Sequence, residues 1–252
     1  MTSYPGPVAV RWLTAFMDLP SEGFAAACSF WQELTRSTLS PTRGTSGEFA
    51  TLVPEKGDAF LRVQRTNAGF ADCHLDIHVD DVATARELAA SLGATPLPPP
   101  AFSSPGGFAF CIVSHDGEAH RPPPLAWPDG QRSLVDQMCL DIPAQLFDRE
   151  ATFWTALTGW ERRNGSRPEF EYLVRPPEMP LRLLLQRLDE AQPGPCRAHL
   201  DFACDKVIPE QRRHELLGAT RVRMMPNWTT MQGPAGSEYC ITRRDPFTGA
   251  LP

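Results

Sequence analysis

One set of short motifs occurs twice along this chain, in the same order, and this duplication constrains the fold more than any other feature. The second copy follows the first by 123 to 129 residues (154 − 31 for Trp31 and Trp154, 240 − 111 for Cys111 and Cys240). A repeat of about half the chain is far longer than the roughly 20–50-residue periods of solenoids, so it predicts two homologous domains. The repeated motifs are Phe30-Trp31-x-x-Leu34-Thr35 with Phe153-Trp154-x-x-Leu157-Thr158, Leu61–Arg65 with Leu183–Arg187, His74-Leu75-Asp76 with His199-Leu200-Asp201, Leu92–Thr95 with Leu217–Thr220, and Phe110-Cys111-Ile112 with Tyr239-Cys240-Ile241.

The composition argues against several classes of partner. The 252 residues carry a formal net charge of −6 and no run of basic residues, so neither a nucleic acid nor an anionic membrane is expected as a partner. The segment Met1 to Pro7 lacks the features of a secretory signal, and no apolar run reaches the ~18 residues of a membrane span. The seven cysteines include no CxxC pair, which favours reduced thiols. The sequence therefore predicts a soluble cytoplasmic protein.

A proline-rich stretch separates the two copies. We predict an N-terminal domain at 1–116, a linker at 117–132 and a C-terminal domain at 133–252, because clustered prolines forbid regular structure. Each domain is long enough to bury a core. Helical spacing of apolar residues places Trp31 and Trp154 on buried helix faces. Each copy reads twice as a strand, a helix and further strands, which gives four βαβββ units and an α+β fold.

This pattern resembles the vicinal oxygen chelate superfamily, the group of glyoxalase I, bleomycin-resistance proteins and extradiol dioxygenases. The resemblance rests on the FW-x-x-LT helix, the strand ending in Gln-Arg, the HLD and LGAT motifs and the Cys-Ile pair of the last strand. Within the superfamily, the chain is most similar to tandem glyoxalase-like domain proteins of actinobacterial type. The resemblance implies that the two βαβββ units of each copy form a cupped mixed sheet around a ligand cavity. The resemblance does not specify one function, because proteins with this scaffold carry out several different reactions.

Metal-dependent members of the superfamily carry ligands on the first and last strands of their units. By position, this implies Gln137, His199 and Glu238 as ligands of one divalent metal (Zn, Ni, Fe or Mn) in the C-terminal cavity. Glu238 would also be placed to act as a catalytic base. No fourth ligand is evident on the strand from Leu181 to Arg187.

The first copy lacks this set. Thr14 stands at the position of Gln137, and Ala109 stands at the position of Glu238, which leaves His74 as a lone histidine. The first copy is therefore expected to be structural or to bind a ligand without a metal. We expect Glu238→Ala to abolish metal binding by the C-terminal domain, and changes at Thr14 or Ala109 to have no effect.

The repeated histidines also have a structural interpretation. His74 with Asp76 recurs as His199 with Asp201, and retention in both copies fits a scaffold role through a His–Asp hydrogen bond. The same four side chains could instead line a pocket or form a general-base pair. Both interpretations remain open at this stage.

Three further residues have a preferred interpretation. Cys240, which repeats Cys111, is expected as a small buried thiol, although it shares a strand face with the cavity. Trp228 lies near a strand end, where it could rim a pocket or become buried between domains. His214 falls in a charged helical segment and is expected to be solvated.

Three functions follow from these observations. The first is an enzyme that acts on a small organic molecule in the C-terminal cavity, as a metal-assisted isomerase, lyase or dioxygenase. The second is a metal-free protein that binds or sequesters a small molecule, as the bleomycin-resistance branch does. The third is a scaffold in which one domain completes the interface of a homodimer. Metal content separates the first from the second, because sequestration needs only a shaped cavity.

Overall fold

The computed structural model describes residues 8–189 and 194–252. The N-terminal residues examined above for a secretory signal lie outside these ranges. The described α-helices are α1 (Phe24–Thr35), α2 (Val82–Ser91), α3 (Phe147–Thr158) and α4 (Val207–Leu216), with short 3-10 helices at Ala144–Leu146 and Pro234–Gly236. The strands of the first copy are β1 (Val10–Pro20), β2 (Ser37–Leu39), β3 (Phe49–Pro54), β4 (Leu61–Thr66), β5 (Asp72–Val79), β6 (Thr95–Pro96), β7 (Ala101–Ser103) and β8 (Ala109–Ser114). The remaining strands are β9 (Leu125–Ala126), β10 (Arg132–Ile142), β11 (Arg162–Asn164), β12 (Phe170–Leu173), β13 (Arg182–Arg187), β14 (Arg197–Cys204), β15 (Thr220–Met224), β16 (Trp228–Gln232) and β17 (Glu238–Arg243).

The two sheets have the same topology. The first has the order β2-β3-β4-β1-β5-β8-β7-β6, and the second has the order β11-β12-β13-β10-β14-β17-β16-β15. Adding nine to each strand number of the first sheet gives the second sheet, so the sequence repeat is a structural repeat. Near the centre of each sheet lies a parallel pair, β5 with β8 in the first and β14 with β17 in the second. The predicted α+β class with two tandem copies of paired βαβββ units is confirmed.

The helices predicted in each copy are present. Helix α3 ends at Gly159, which caps it with a φ of 68°, a left-handed conformation that glycine adopts without strain. The predicted linker contains the short strand β9, which pairs with the start of β10.

The described chain divides into two compact units, and each unit draws on both copies. The first comprises residues up to Ala15, Cys73–Ala119 and Cys139–Ala198, and the second comprises Phe16–Asp72, His120–Met138 and His199–Pro252. The predicted domain bounds 1–116 and 133–252, with a linker at 117–132, follow the two copies of the sequence repeat. As bounds of folded domains they stay a prediction.

An aromatic cluster lies in the core of each unit. In the second unit, Trp31 of α1 stacks on Phe202 with ring centroids 6.1 Å apart and meets Tyr239 at 5.4 Å. In the first unit, Trp154 of α3 meets Phe110 at 5.2 Å. All of these rings are buried, so the prediction that both tryptophans lie on buried helix faces is confirmed. In the part of the chain that is described, no helix combines the length and the apolar character that crossing a bilayer requires.

Candidate functional site

The parallel pairing of β14 and β17 builds a cluster of one histidine, one aspartate and one cysteine in the second unit. Along β14, His199 and Asp201 share one face because side chains alternate along a strand. The register places Asp201 beside Cys240 of β17. One donor atom from each of His199, Asp201 and Cys240 lies within 4.8 Å of the others. Asp201 and Cys240 are buried, and His199 is half-buried.

Only one of the two carboxylate oxygens of Asp201 accepts a hydrogen bond from a described residue. The side-chain amide nitrogen of Gln137 donates a hydrogen bond to Asp201 Oδ2. Asp201 Oδ1 faces His199 Nε2 at 3.3 Å, but this buried oxygen accepts no hydrogen bond from any described residue. A buried carboxylate oxygen without a hydrogen-bond donor is destabilising. A cation bound next to Asp201 Oδ1 would offset this cost.

The cysteine does not form a nucleophilic relay with the histidine and the aspartate. Cys240 Sγ lies 3.6 Å from His199 Nε2, the same nitrogen that faces Asp201. A relay needs the carboxylate on one ring nitrogen and the nucleophile on the other. Burial also raises the pKa of the Cys240 thiol, although the adjacent imidazole opposes this shift, and a reactive thiol requires a lowered pKa. Convergence of nitrogen, oxygen and sulfur atoms is instead what a metal ion requires of its ligands.

Glu238 lies at the edge of this cluster and not within it. It is the exposed first residue of β17, paired with Gln232 of β16. Extending the parallel register of β14 and β17 by one residue beyond Leu200 and Tyr239 places Glu238 beside His199, and alternation puts it on the face of Cys240. Among the described residues, Glu238 belongs to none of the clusters of closely spaced metal-ligating atoms.

Trp228 lies elsewhere in the second unit. It opens β16 and lines an open groove together with Met224, Met225 and Ile208. None of the three clustered residues is among those that line this groove. The structure therefore separates Trp228 from the residues with which the sequence analysis grouped it.

The first copy keeps more of the site than the sequence analysis assigned to it. His74, Asp76 and Cys111 also bring one ligating atom each to within 4.8 Å of one another, with Asp76 beside Cys111 in the parallel register of β5 and β8. His74 therefore has two further potential ligands beside it, and the expectation that the first copy binds no metal stays a prediction. The signal was present in the sequence, because the HLD motif and the cysteine of the last strand both occur twice. It was missed because their proximity depends on strand pairing.

A second polar cluster in the second unit lies around α4. His214 is fully buried, so the expectation that it is solvated is wrong. Its Nδ1 lies 3.0 Å from the Tyr239 hydroxyl, and its Nε2 lies 3.1 Å from Glu210 Oε1. Arg213 donates to the same carboxylate at 2.7 Å. These groups satisfy one another inside the core, and we assign them a structural role.

Comparison with known proteins agrees with this architecture. A family model described as "Glyoxalase-like domain" matches residues 14–113 and again 137–242. No curated protein matches the chain in sequence.

Many solved structures share the fold at low sequence identity. An extradiol ring-cleaving dioxygenase from B. fuscum aligns with a TM-score of 0.67 and 13% identity over 98% of this chain and 75% of that chain. The Mn(II)-bound glyoxalase from Novosphingobium aromaticivorans aligns with a TM-score of 0.62 and 14% identity over 98% of this chain and 84% of that chain. A fusion protein of a xylose isomerase-like TIM barrel and a 4-hydroxyphenylpyruvate dioxygenase aligns with a TM-score of 0.63 and 14% identity, and 97% of this chain spans 51% of its length. At these identities the likeness concerns the fold alone. The chain belongs to the glyoxalase-like domain family of the vicinal oxygen chelate superfamily, and it carries two copies of that domain.

Proposed function

We propose that the chain is an enzyme that acts on a small organic molecule at the His199–Asp201–Cys240 cluster, with one divalent transition metal held by these three side chains. The observation that carries this proposal is the buried Asp201 Oδ1, which accepts no hydrogen bond from any described residue and lies 3.3 Å from the neighbouring imidazole nitrogen. A cation among the three side chains would compensate that oxygen and use the donors that already converge on it.

The donor set favours a particular kind of metal. An imidazole, a carboxylate and a thiolate suit Zn, Fe or Ni, since sulfur ligands select against hard cations. Three protein ligands leave coordination positions open, which is the arrangement of catalytic sites. The Mn(II)-bound glyoxalase with the same fold supports a divalent metal in this scaffold, although the thiolate makes Mn the least favoured of the four metals named from the sequence.

Two further residues of the second unit support the site. Gln137 orients Asp201 through its amide hydrogen bond, as outer partners of metal ligands do. Glu238 is exposed, and extending the β14–β17 register by one residue places it beside His199, where it would supply a base that can take a proton from a bound substrate. The metal itself would polarise a carbonyl or enediolate oxygen. This division of roles fits an isomerase, a lyase or a dioxygenase.

The first experiment measures metal content. The protein is purified without chelator or affinity-tag metal, and its transition metals are quantified beside those of His199→Ala, Asp201→Asn and, as control, His120→Ala. His120 is exposed, so its replacement should leave the content unchanged. We expect the first two variants to lose about one equivalent per chain. Full metal content in His199→Ala would refute the site. No metal in the unmodified protein, even after reconstitution, would indicate a metal-free binding protein.

The role of Glu238 is tested separately. If Glu238 is the base, the variant Glu238→Gln should keep its metal. Its turnover, measured with an identified substrate, should be mostly lost. Loss of the metal in Glu238→Gln would instead make Glu238 a ligand, as the family resemblance implies.

A further inference from the structure

The first unit contains the same three donor types in the same arrangement as the proposed catalytic site. His74 and Asp76 share a face of β5, and the parallel register brings Cys111 of β8 beside Asp76. We infer that the first copy binds a metal ion of its own through His74, Asp76 and Cys111, so that the chain holds two divalent metals. This site goes beyond the proposed function, which concerns the second copy alone.

The spacing of the donors is close to that of a formed site. One ligating atom from each of the three side chains lies within 4.8 Å of the other two. In a tetrahedral zinc site, with bonds of roughly 2.0 to 2.3 Å, neighbouring ligand atoms lie about 3.3 to 3.7 Å apart. Rotations of side chains that shift these atoms by about 1 Å would therefore complete the coordination without moving either strand.

The surroundings of the three donors favour a cation. Asp76 is buried and the other two side chains are half-buried, so the dielectric around the carboxylate is low and an adjacent cation is worth more than at the surface. The imidazole and the thiol are reachable from solvent, which gives the ion an entry path. Structural metal sites in proteins use this mixture of nitrogen, oxygen and sulfur donors.

The two copies differ beside the cluster, and the difference sets the role of the first site. Gln137, which holds Asp201, is replaced by Thr14, whose hydroxyl lies 2.9 Å from the Nε2 of buried His78. Glu238, the proposed base of the second copy, is replaced in the first copy by Ala109. The first copy therefore keeps the ligands and lacks the base. Its metal would tie β5 to β8 and stabilise the first unit without turning over substrate.

Cobalt(II) is the probe that separates the two sites, because a cysteine thiolate bound to it gives a charge-transfer band in the near ultraviolet. The full chain is loaded with cobalt under reducing, chelator-free conditions, and bound cobalt and band intensity are measured. We expect two equivalents in the unmodified protein. Cys111→Ser and Cys240→Ser should each remove about half of the band intensity, and the double variant should remove all of it.

A matched control and a second variant keep the test decisive. Cys73 adjoins His74 on the opposite face of β5, so Cys73→Ser should retain both cobalt ions. His74→Ala should lose one equivalent and leave the Cys240 contribution intact. In Cys240→Ser, which keeps only the first site, added cobalt should still raise the melting temperature, and His74→Ala in that background should abolish the rise.

The outcomes for the two sites are distinguishable. One equivalent that depends on His199 and Cys240, with no change in His74→Ala or Cys111→Ser, would overturn the first site and leave the proposed function standing. One equivalent that depends on His74 and Cys111 alone would support the first site and refute the metal-dependent function of the second. Cobalt bound without any thiolate band would overturn both ligand sets.

Discussion

Two buried aspartates of the second unit differ in how their charge is compensated. Asp136 faces the guanidinium of Arg244 at 2.5 and 2.9 Å. Asp201 instead contacts the neutral amide of Gln137 and the imidazole of His199. A buried carboxylate is stable when a cation is near, so Asp136 is complete as it stands, whereas Asp201 gains from a further cation. This contrast is the residue-scale argument for the metal.

The hydrogen bond from Gln137 leads to a prediction about affinity. Gln137→Ala should weaken metal binding at the second site by about 10- to 100-fold, because loss of an outer partner lets the ligand reorient. Competition with a chromophoric chelator measures this change. Thr14→Ala, at the equivalent position of the first copy, serves as control and should leave the second site unchanged. Complete loss of the metal would show that Gln137 is itself a ligand, as the family resemblance implies.

The pair of Asp136 and Arg244 leads to a prediction about stability. Arg244→Met should lower the free energy of unfolding by about 3–5 kcal/mol, because it leaves a carboxylate buried without its partner. Arg121 also interacts electrostatically with Asp136, so the lower end of this range is expected. Arg163→Met is the control, since the pair of Arg163 and Glu161 is exposed and its loss should leave the free energy of unfolding nearly unchanged. Urea denaturation gives both values, and equal losses would contradict the interpretation.

At the scale of elements, α4 is a helix whose buried side is polar. Its buried residues are Glu210, Gln211 and His214. Burial alone would raise the pKa of Glu210, but the hydrogen bonds from His214 and Arg213 and the positive charge of Arg213 lower it below its usual value. The pKa of His214 is lowered mainly by burial, against the effect of Glu210. The helix thus docks through a neutral imidazole and an ionised carboxylate.

These two pKa directions predict how stability depends on pH. A histidine with a lowered pKa binds fewer protons when folded than when unfolded, so its contribution is lost as pH falls below the unfolded value of about 6.5. A carboxylate with a lowered pKa acts in the same direction below about 4.5. Stability should therefore decline from pH 7 to pH 5.5, with His214 contributing up to about 1.4 kcal/mol per pH unit.

The variant His214→Gln isolates the histidine. Its free energy of unfolding should be lower than that of the unmodified protein at pH 8, where the Glu210 network is intact. Its decline between pH 7 and pH 5.5 should be shallower, since glutamine does not titrate. Urea titrations at several pH values measure both slopes. Parallel slopes for the two proteins would show that His214 does not account for the pH dependence.

The elements also show which parts of the fold the sequence could reveal. The long strands and the helices around Trp31 and Trp154 were predicted, because their apolar periodicity extends over many residues. Local patterning does not locate β2, β6, β7, β11, β15 and β16. Four of these strands have only two or three residues, and strands that short form only through pairing with a neighbour. The buried side of α4 was missed for another reason. Polar residues that neutralise one another leave no hydrophobic pattern, and His214 was therefore assigned to solvent.

The candidate site was predicted in part, for a comparable reason. His199 and the polar face of β14 follow from the repeat and from strand alternation. The contact of His199 with Cys240 depends on the register of two strands 41 positions apart, which no local pattern specifies. The duplicated cysteines were visible in the sequence. Their role depends on pairing, which a single sequence does not contain.

At the scale of the whole molecule, the two sequence copies and the two compact units divide the chain differently. The second unit combines α1 of the first copy with β14 and β17 of the second copy. Trp31 packs there on Phe202 and Tyr239. Burying a tryptophan side chain of this kind contributes about 3–5 kcal/mol relative to alanine. Each copy therefore depends on the other for part of its core, although each has the length of a domain.

This arrangement predicts that neither copy folds alone. The segment 133–252 lacks Trp31, and the segment 8–116 lacks Phe202 and Tyr239, so the aromatic faces left exposed should make both segments molten or aggregation-prone. Near-ultraviolet circular dichroism and amide dispersion in NMR spectra measure this. A full chain with a protease site at exposed Gly117 is the control, since cleavage after folding should leave the native signals intact. Native spectra from isolated 133–252 would show that the second copy is an autonomous domain, and the aromatic contacts of Trp31 would then stabilise an already folded copy.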